Sequence, residues 1–479
     1  MLHGSGRVLG GAVLLLLLVV GAEGLRAGSD PGRRYEAGDC AIERITVLEG
    51  LAVDQVVSLD DRVVFVGRDV EAPTVFVTDG TAEGTRPLRD LRTDGGGRPN
   101  QLTRAGDRVF FVADDGHAGA ELWVTDGTFD GTRLVRDIRV GPEGSAPRRL
   151  LGVGGLLHFV ADDGFHGREP WVSDGTEDGT FMVEDIEIGP DGSDPGRKVF
   201  EDDRVWFTAT DSQVGAAIWE TNGTRAGTRR VTLDFANGPE DPRHLGVLDG
   251  RVFFSAAREP YGRELWVSDG TVDGTSMVQD IFPGEDGSDP GLIFPAAGAV
   301  WFAADDGAAG RELWRSDGTS RGTYIVSDIR PGSRGSNPSD VFAIGDLVLF
   351  VADDGSLGRE LWRSDGTLTG TDYVRDINGG RDGAFRTEGF LGQMVFGDRV
   401  VFVADDGRIG REPWVTDGSY EGTQLLGNLN PDGSFRGIFD DERRQGLAPF
   451  GGGVVLGGRT DLGPSLWWLR CGAGVSGTH

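Results

Sequence analysis

One aromatic position constrains this chain more than any other feature. "ELWVTDGT" (Glu121 to Thr128), "EPWVSDGT" (Glu169 to Thr176), "ELWVSDGT" (Glu264 to Thr271), two copies of "ELWRSDGT" (from Glu312 and Glu360) and "EPWVTDGS" (Glu412 to Ser419) align on one tryptophan. The lattice runs Phe76, Trp123, Trp171, Trp219, Trp266, Trp314, Trp362, Trp414 and Trp467, at spacings of 47, 48, 48, 47, 48, 48, 52 and 53 residues. Eight of the 11 tryptophans fall on it. A non-repetitive core seldom grows past about 250–300 residues. A fixed period across 479 residues therefore points to stacked units, each burying its faces against its neighbours.

Each unit reads as four short strands. Between Pro147 and Ile186, "RRLLGV", "LLHFVA", "REPWVS" and "TFMVEDI" are separated by "GG", "DDGFHG" and "DGTEDG". Asp-Gly favours tight turns because glycine accepts positive φ and the aspartate caps nearby amides, while β-branched and aromatic residues fill the strands between. No sustained 3.6-residue apolar period is present, so helices are expected to be rare. Four-stranded units of this length repeated around a centre predict an all-β fold, a single β-propeller. An open solenoid is the competitor.

The chain ends decide between them. The last unit lacks a fourth strand, and "CAIERITV" from Cys40 has the offset of a fourth strand without a unit of its own. A ring closes if that N-terminal strand completes the last blade, which also removes exposed sheet edges. The only two cysteines, Cys40 and Cys471, then meet in a disulfide. They bracket 432 residues, nine units of 48. Nine blades are expected, eight being the alternative if one worn copy is not a blade.

The repeats "ELWVTDGTFDGT", "EPWVSDGTEDGT" and "ELWRSDGTSRGT" resemble the ELWxxDGT repeat family, typically exported bacterial proteins. The resemblance covers nearly the whole chain. It implies export and a propeller-like fold and supplies no catalytic residues.

Residues found in every unit are read as architecture. The motif aromatic (Trp123, Trp171, Trp219, Trp266, Trp314, Trp362, Trp414, Trp467) serves as a wedge between blades. The glutamate two residues earlier shares its strand face, and "SDGT" is a turn. "ADDG" recurs in the loop between second and third strands. It gathers Asp114, Asp115, Asp162, Asp163, Asp305, Asp306, Asp353, Asp354, Asp405 and Asp406 on one face. Carboxylates beside loop carbonyls suit Ca²⁺, and solvated turn geometry is the plainer reading. No HExxH, GxSxG or CxxC motif is present. His117 and His166 occupy neighbouring loops, His158 lies on a strand and His244 begins one.

Breaks in the repeat are where a specific site is expected. One is "SAAREPYG", with Arg258, Glu259 and Tyr261. The others are two lengthened connections with Phe385, Arg386, Phe435, Arg436 and Arg443, where an aromatic beside an arginine suits a sugar or carboxylate. Lys198, the sole lysine, is read as compositional bias.

Net charge is −30, which argues against nucleic acid. Arg7 followed by the apolar run from Val8 to Ala22 reads as a signal peptide cleaved near Leu25. An uncleaved anchor is the alternative. The expected organisation is signal peptide 1–24, linker 25–39, propeller 40–471 and disordered tail 472–479. Secretion or cell-surface display is expected, with the periplasm as an alternative and no transmembrane segment after cleavage. The expected role is that of a monomeric, non-enzymatic binding scaffold for a protein, glycan or matrix partner. The alternatives are a polysaccharide-directed hydrolase or lyase and a Ca²⁺-dependent adhesion module.

Overall fold

Nine sheets in the computed structural model coincide with the nine copies of the motif. The structure describes residues 34–45, 52–68, 73–89, 91, 97–231, 239–385, 392–429, 436–437, 446–460 and 463–472. The expected signal peptide and most of the tail lie outside them. Blade 3 is typical: strand A (Arg148–Val153), B (Leu156–Asp162), C (Arg168–Ser173) and D (Phe181–Met182) pair antiparallel in chain order. Among the described residues the only helical turn is Arg225–Gly227. Strand A of one blade touches strand A of the next, so the first strands ring the axis.

The last sheet closes the ring as expected. Leu447–Phe450, Gly453–Thr460 and Gly463–Cys471 supply strands A to C, and Cys40–Ile45 supplies D, with Cys40 opposite Cys471. The two cysteines form a disulfide across a sequence separation of 431. Two further strands join this sheet. Arg34–Ala37, in the segment expected to be a linker, pairs outside Cys40–Ile45, and Arg436–Gly437 pairs with strand B.

The cores lie in the joints between blades. The motif tryptophan of blade 3, Trp171, packs with Phe159 of its own strand B and with Phe110, Leu122 and Val135 of blade 2. Ring centroids of the Phe–Trp pairs are 6.3 Å apart in blade 2, 6.4 Å in blade 3 and 6.5 Å in blades 5 and 6. Each buried aromatic of this size contributes about 2–3 kcal/mol by leaving water.

The motif glutamate is fully buried and acts as a clamp. Glu169 accepts hydrogen bonds from the amides of Ile186, Glu187 and Ser193 and from Ser193 Oγ at 2.6 Å. It thereby fixes the connection that leads to the next blade. Glu121, Glu264 and Glu312 repeat the pattern with Ser145, Ser288 and Ser336. Burial pushes these carboxyls up and the donors pull them back. In blade 7 Ala384 stands where the serine should be, and Glu360 is pushed up to about 8 by burial.

The "SDGT" turn satisfies itself. In blade 2 Asp126 Oδ1 accepts from the amide and hydroxyl of Thr128, and Thr125 and Thr132 share a hydroxyl contact of 2.7 Å. Arginines stitch these turns to the preceding blade: Arg136 donates to the Thr180 carbonyl at 2.7 Å and Arg375 to that of Thr423 at 2.5 Å. At the closure, where the turn is Gly38–Asp39, Arg399 grips both oxygens of Asp39 at 2.6 and 2.8 Å.

Two outcomes are expected. Replacing Cys40 and Cys471 with serine should cost about 2–5 kcal/mol in urea denaturation, and a non-reducing peptide map of the native chain should contain the Cys40–Cys471 pair. For Glu360, a folded value near 8 against the ordinary 4.5 means that stability present below pH 4.5 is lost as pH rises towards 8. Ala384→Ser restores a hydroxyl donor that favours the ionised form, so it should flatten that decline. It should raise stability by about 1–2 kcal/mol at pH 8.5 and by less at pH 5.

Candidate functional site

Most strand A entries share one backbone form. In blades 2, 3, 5, 6 and 7 the chain enters through a residue at positive φ: Gln101 (56°), Arg149 (55°), His244 (53°), Leu292 (59°) and Asp340 (54°). A break in register follows or spans each. Blade 4 has no such break. Lys198–Glu201 pairs without interruption with Phe207–Arg204. Here Gly196 runs hard against strand B, donating to the Thr208 carbonyl at 2.6 Å. A Cβ on Gly196 would lie 2.1 Å from Thr208 Oγ1, so the tight entry requires glycine.

That entry sets Lys198 at the position held by Leu102, Leu150, Leu245, Ile293 and Val341 in other blades. The facing position on strand B of the preceding blade is buried throughout. It holds Val64, Phe110, Trp206, Phe253, Trp301, Leu349, Val401 and Val455, and in blade 3 it holds His158. The joint between blades 3 and 4 thus carries two titratable groups where, among the described residues, the other joints carry none at these positions. Its apolar cluster is correspondingly small: Ile186, Phe207 and Ala209, with Trp219 against them.

Electrostatics follow from this placement. Lys198 is half-buried, its Nζ donates to the Arg149 carbonyl at 3.0 Å, and no described carboxylate pairs with it. Burial, then the charges of Arg149 and Arg148, bring its amine down to about 7. Burial, reinforced by the Lys198 charge, brings His158 down to about 4. Neighbouring entries add cations. Arg149 and Arg197 are exposed at equivalent positions of blades 3 and 4, flanked by Arg148 and Arg243, while burial holds His244, at the same position of blade 5, below its ordinary value. Asp194 and Asp241 pair with Arg148 and Arg243, and Asp289 acts on His244. A chain of net charge −30 therefore presents a cationic arc along its innermost strands.

This site was missed by reading Lys198 as compositional bias. Aligned on the tryptophan, Lys198 lies 21 residues before Trp219 just as Leu150 lies before Trp171, so the sequence already shows a lysine in a column that is mostly Leu, Ile and Val.

The sites expected from the sequence fare differently. Arg258 lies over Tyr261 and over the motif Trp266, at 5.7 and 5.9 Å from the ring centroids. Glu259 is exposed beside them, ahead of a cis Pro260. Arg258 and Tyr261 thus converge on the motif tryptophan, with the Arg258 Nε buried and without a hydrogen-bond partner among the described residues. Phe385, expected to meet a ligand, is instead buried against Phe402 with centroids 6.0 Å apart. It fills the joint between blades 7 and 8 because Ala384–Phe385 replaces the serine entry. Arg386, Phe435 and Arg443 lie outside the described residues, and of Arg436 only the backbone is described.

The paired aspartates bind their own loops. Asp115 Oδ1 accepts from the amides of His117 and Ala118, and Asp306 Oδ1 from those of Ala308 and Ala309. Among the described residues no group of three His, Cys, Asp or Glu side chains could hold a metal ion. His166 is engaged by Asp163 at 2.8 Å, which raises the imidazole above its ordinary value.

A cavity of about 790 Å³ opens on the opposite face, between the A–B turns of blades 8, 9, 1 and 2, with Cys471 in its wall. Its arginines are already paired, Arg104 with Asp60 and Arg399 with Asp39, both at 2.6 Å. It offers a ligand less uncompensated charge than the arc does.

No family profile and no curated protein matches the chain. Among solved structures it aligns with a puromycin hydrolase (17% identity, 77% of this chain and 59% of that one, TM-score 0.39). It also aligns with a prolyl endopeptidase (11%, 74% and 54%, 0.41) and a puromycin-hydrolysing peptidase of Mycobacterium tuberculosis (11%, 76% and 59%, 0.38). The chain thus spans less than two thirds of each. All three are named as hydrolases, at variance with the expected non-enzymatic scaffold. At these scores the likeness transfers no activity to this chain.

His158→Phe restores the apolar column and should stabilise the protein more as pH falls. The folded value near 4 against the ordinary 6.5 means that His158 favours folding above pH 6.5 and that this is lost as pH falls towards 4. The variant's advantage over the native chain should grow by up to about 3 kcal/mol between pH 7.5 and 4.5, read from urea midpoints at each pH.

Proposed function

We propose that the protein recognises a ligand bearing carboxylate or phosphate groups at the strand A entries of blades 3 to 5. The observation that carries this reading is the set of cations left without acids. Arg149, Arg197 and Lys198 form no ion pair with a described carboxylate, although the chain has 77 acidic residues against 47 basic ones. Like charges held together raise the folded state's energy. A bound anion would relieve that cost, and an arginine fork suits carboxylate and phosphate oxygens alike. The Gln101 side chain supports the arrangement. It accepts from the Arg149 amide at 3.1 Å and donates to the Pro147 carbonyl at 3.1 Å, which fixes the backbone from which Arg149 projects.

Calorimetric titration tests the reading, with citrate and an oligogalacturonate as carboxylate arms and inorganic phosphate and a sugar phosphate as phosphate arms. Peptides with a free C-terminal carboxylate form a further arm. At least one arm should bind with an affinity that falls as salt rises from 50 to 300 mM. The double substitution Arg149→Gln, Arg197→Gln should weaken it tenfold or more. Both residues are exposed, so thermal stability should change little. Equal binding by the native and substituted chains, or none by either, would overturn the assignment.

A further inference from the structure

We propose that Lys198 is a reactive amine, which condenses reversibly with the carbonyl group of a small anionic oxo compound such as an α-oxo acid or an aldehyde-bearing acid. For its substrate class the proposal rests on the anion-binding reading above. The condensation itself rests on Lys198 and its surroundings.

Three features of the joint carry it. The first is position. A mostly aliphatic column, with Gln393 its other polar member, admits one lysine, and its facing position admits one histidine. Lys198 remains partly open while His158 is closed off. The second is anchoring. One donor of Nζ is held by the Arg149 carbonyl at 3.0 Å, which orients the amine and supplies no negative charge. The third is the company. Arg148 and Arg149 are the charged groups that act on the amine, and both disfavour its protonation. A lysine desolvated beside other cations is the arrangement in which an amine becomes a nucleophile near neutral pH. Brought down to about 7, the Lys198 amine is uncharged far more often at pH 7 than an ordinary one. An ordinary lysine offers about one uncharged amine in three thousand.

The step balances without a further reactant. The Nζ lone pair forms a bond to the carbonyl carbon while the C=O electrons move to oxygen. Two protons leave nitrogen for that oxygen, which departs as water and leaves an imine. An acid group on the oxo compound would lie against Arg149, which has no described carboxylate partner, so one of the cations that depress protonation would also hold the substrate. A structural lysine that only snorkels between blades predicts no such selectivity.

The composition makes the test clean, because Lys198 is the sole lysine and the chain's α-amine is the only other primary amine. The native protein is incubated at pH 7 with glyoxylate or with acetaldehyde, each with sodium cyanoborohydride, and the reduced adducts are mapped by mass spectrometry. The expected result is a glyoxylate adduct on Lys198 that forms at least tenfold faster than on the α-amine and than the acetaldehyde adduct on Lys198. Arg149→Gln should slow glyoxylate trapping about tenfold and acetaldehyde trapping clearly less, because losing the Arg149 charge lets more of the Lys198 amine be protonated as well as removing the anion's partner. Lys198→Arg should abolish glyoxylate trapping at this position. Should that variant fail to fold, the map of the native chain still decides.

An adduct confined to the α-amine overturns the imine. Glyoxylate binding measured by calorimetry without reductant then shows separately whether the anion reading survives. Equal trapping of the two carbonyl compounds at Lys198 keeps the reactive amine and overturns the anionic substrate class.

Discussion

A buried carboxylate holds this architecture in register. The glutamate before the motif tryptophan lies in the middle of strand C, and its acceptors are filled by the amides of the connection that follows strand D. One side chain thereby ties the third strand of a blade to the segment that delivers the first strand of the next. Removing a charged acceptor from that position would strand several buried donors at once, each costing about 1–3 kcal/mol. The tryptophan can then wedge against the previous blade because its strand and the following connection are already fixed. The "SDGT" turn closes the far end of the hairpin with its own hydroxyls and aspartate. Each repeated residue has a partner within its unit or in the adjacent one, which is why the motif can be copied around the ring with so little change.

The same economy explains how much of the molecule the sequence makes legible. Spacing, turn chemistry and the offset of Cys40 from Phe76 are enough to yield nine blades, the shared last blade and the disulfide. They succeed because a repeat reports the same local physics many times over. The second strand added at Arg34–Ala37 was not legible, since four residues beside a turn carry too little pattern. The functional reading failed for a related reason. Attention to lengthened loops picked Phe385, which the joint needed as core once Ala384 had replaced the serine. Attention to the repeated tryptophans passed over Lys198, which stands 21 residues before Trp219 where Leu150 stands before Trp171, because strand A carries no repeated word to mark its register.

What distinguishes the joint between blades 3 and 4 is that its polarity is unnecessary for the ring. Of the other joints, all but the one with Gln393 close with aliphatic and aromatic pairs at the same two positions, so the fold has a ready solution that this joint does not use. His158 is buried with its proton removed, and Lys198 loses much of its hydration with no acid in return. Both are costs in stability that a leucine and a phenylalanine would avoid. Groups held in unfavourable protonation states by their surroundings concentrate where chemistry or binding requires them.

Ring closure bears on why such a joint can be tolerated. In an open stack, a weak interface between two units would let the array part there, because each unit contacts only its neighbours. In this ring the Cys40–Cys471 bond and the Arg399–Asp39 pair lock the last blade. Blades 3 and 4 cannot separate without straining the joints on either side of them. A covalently closed ring therefore shares the cost of one poorly packed joint among the others. That gives the innermost strands freedom to carry side chains chosen for charge and reactivity rather than for packing. The strand A entries of blades 3 to 5 are where this chain uses that freedom.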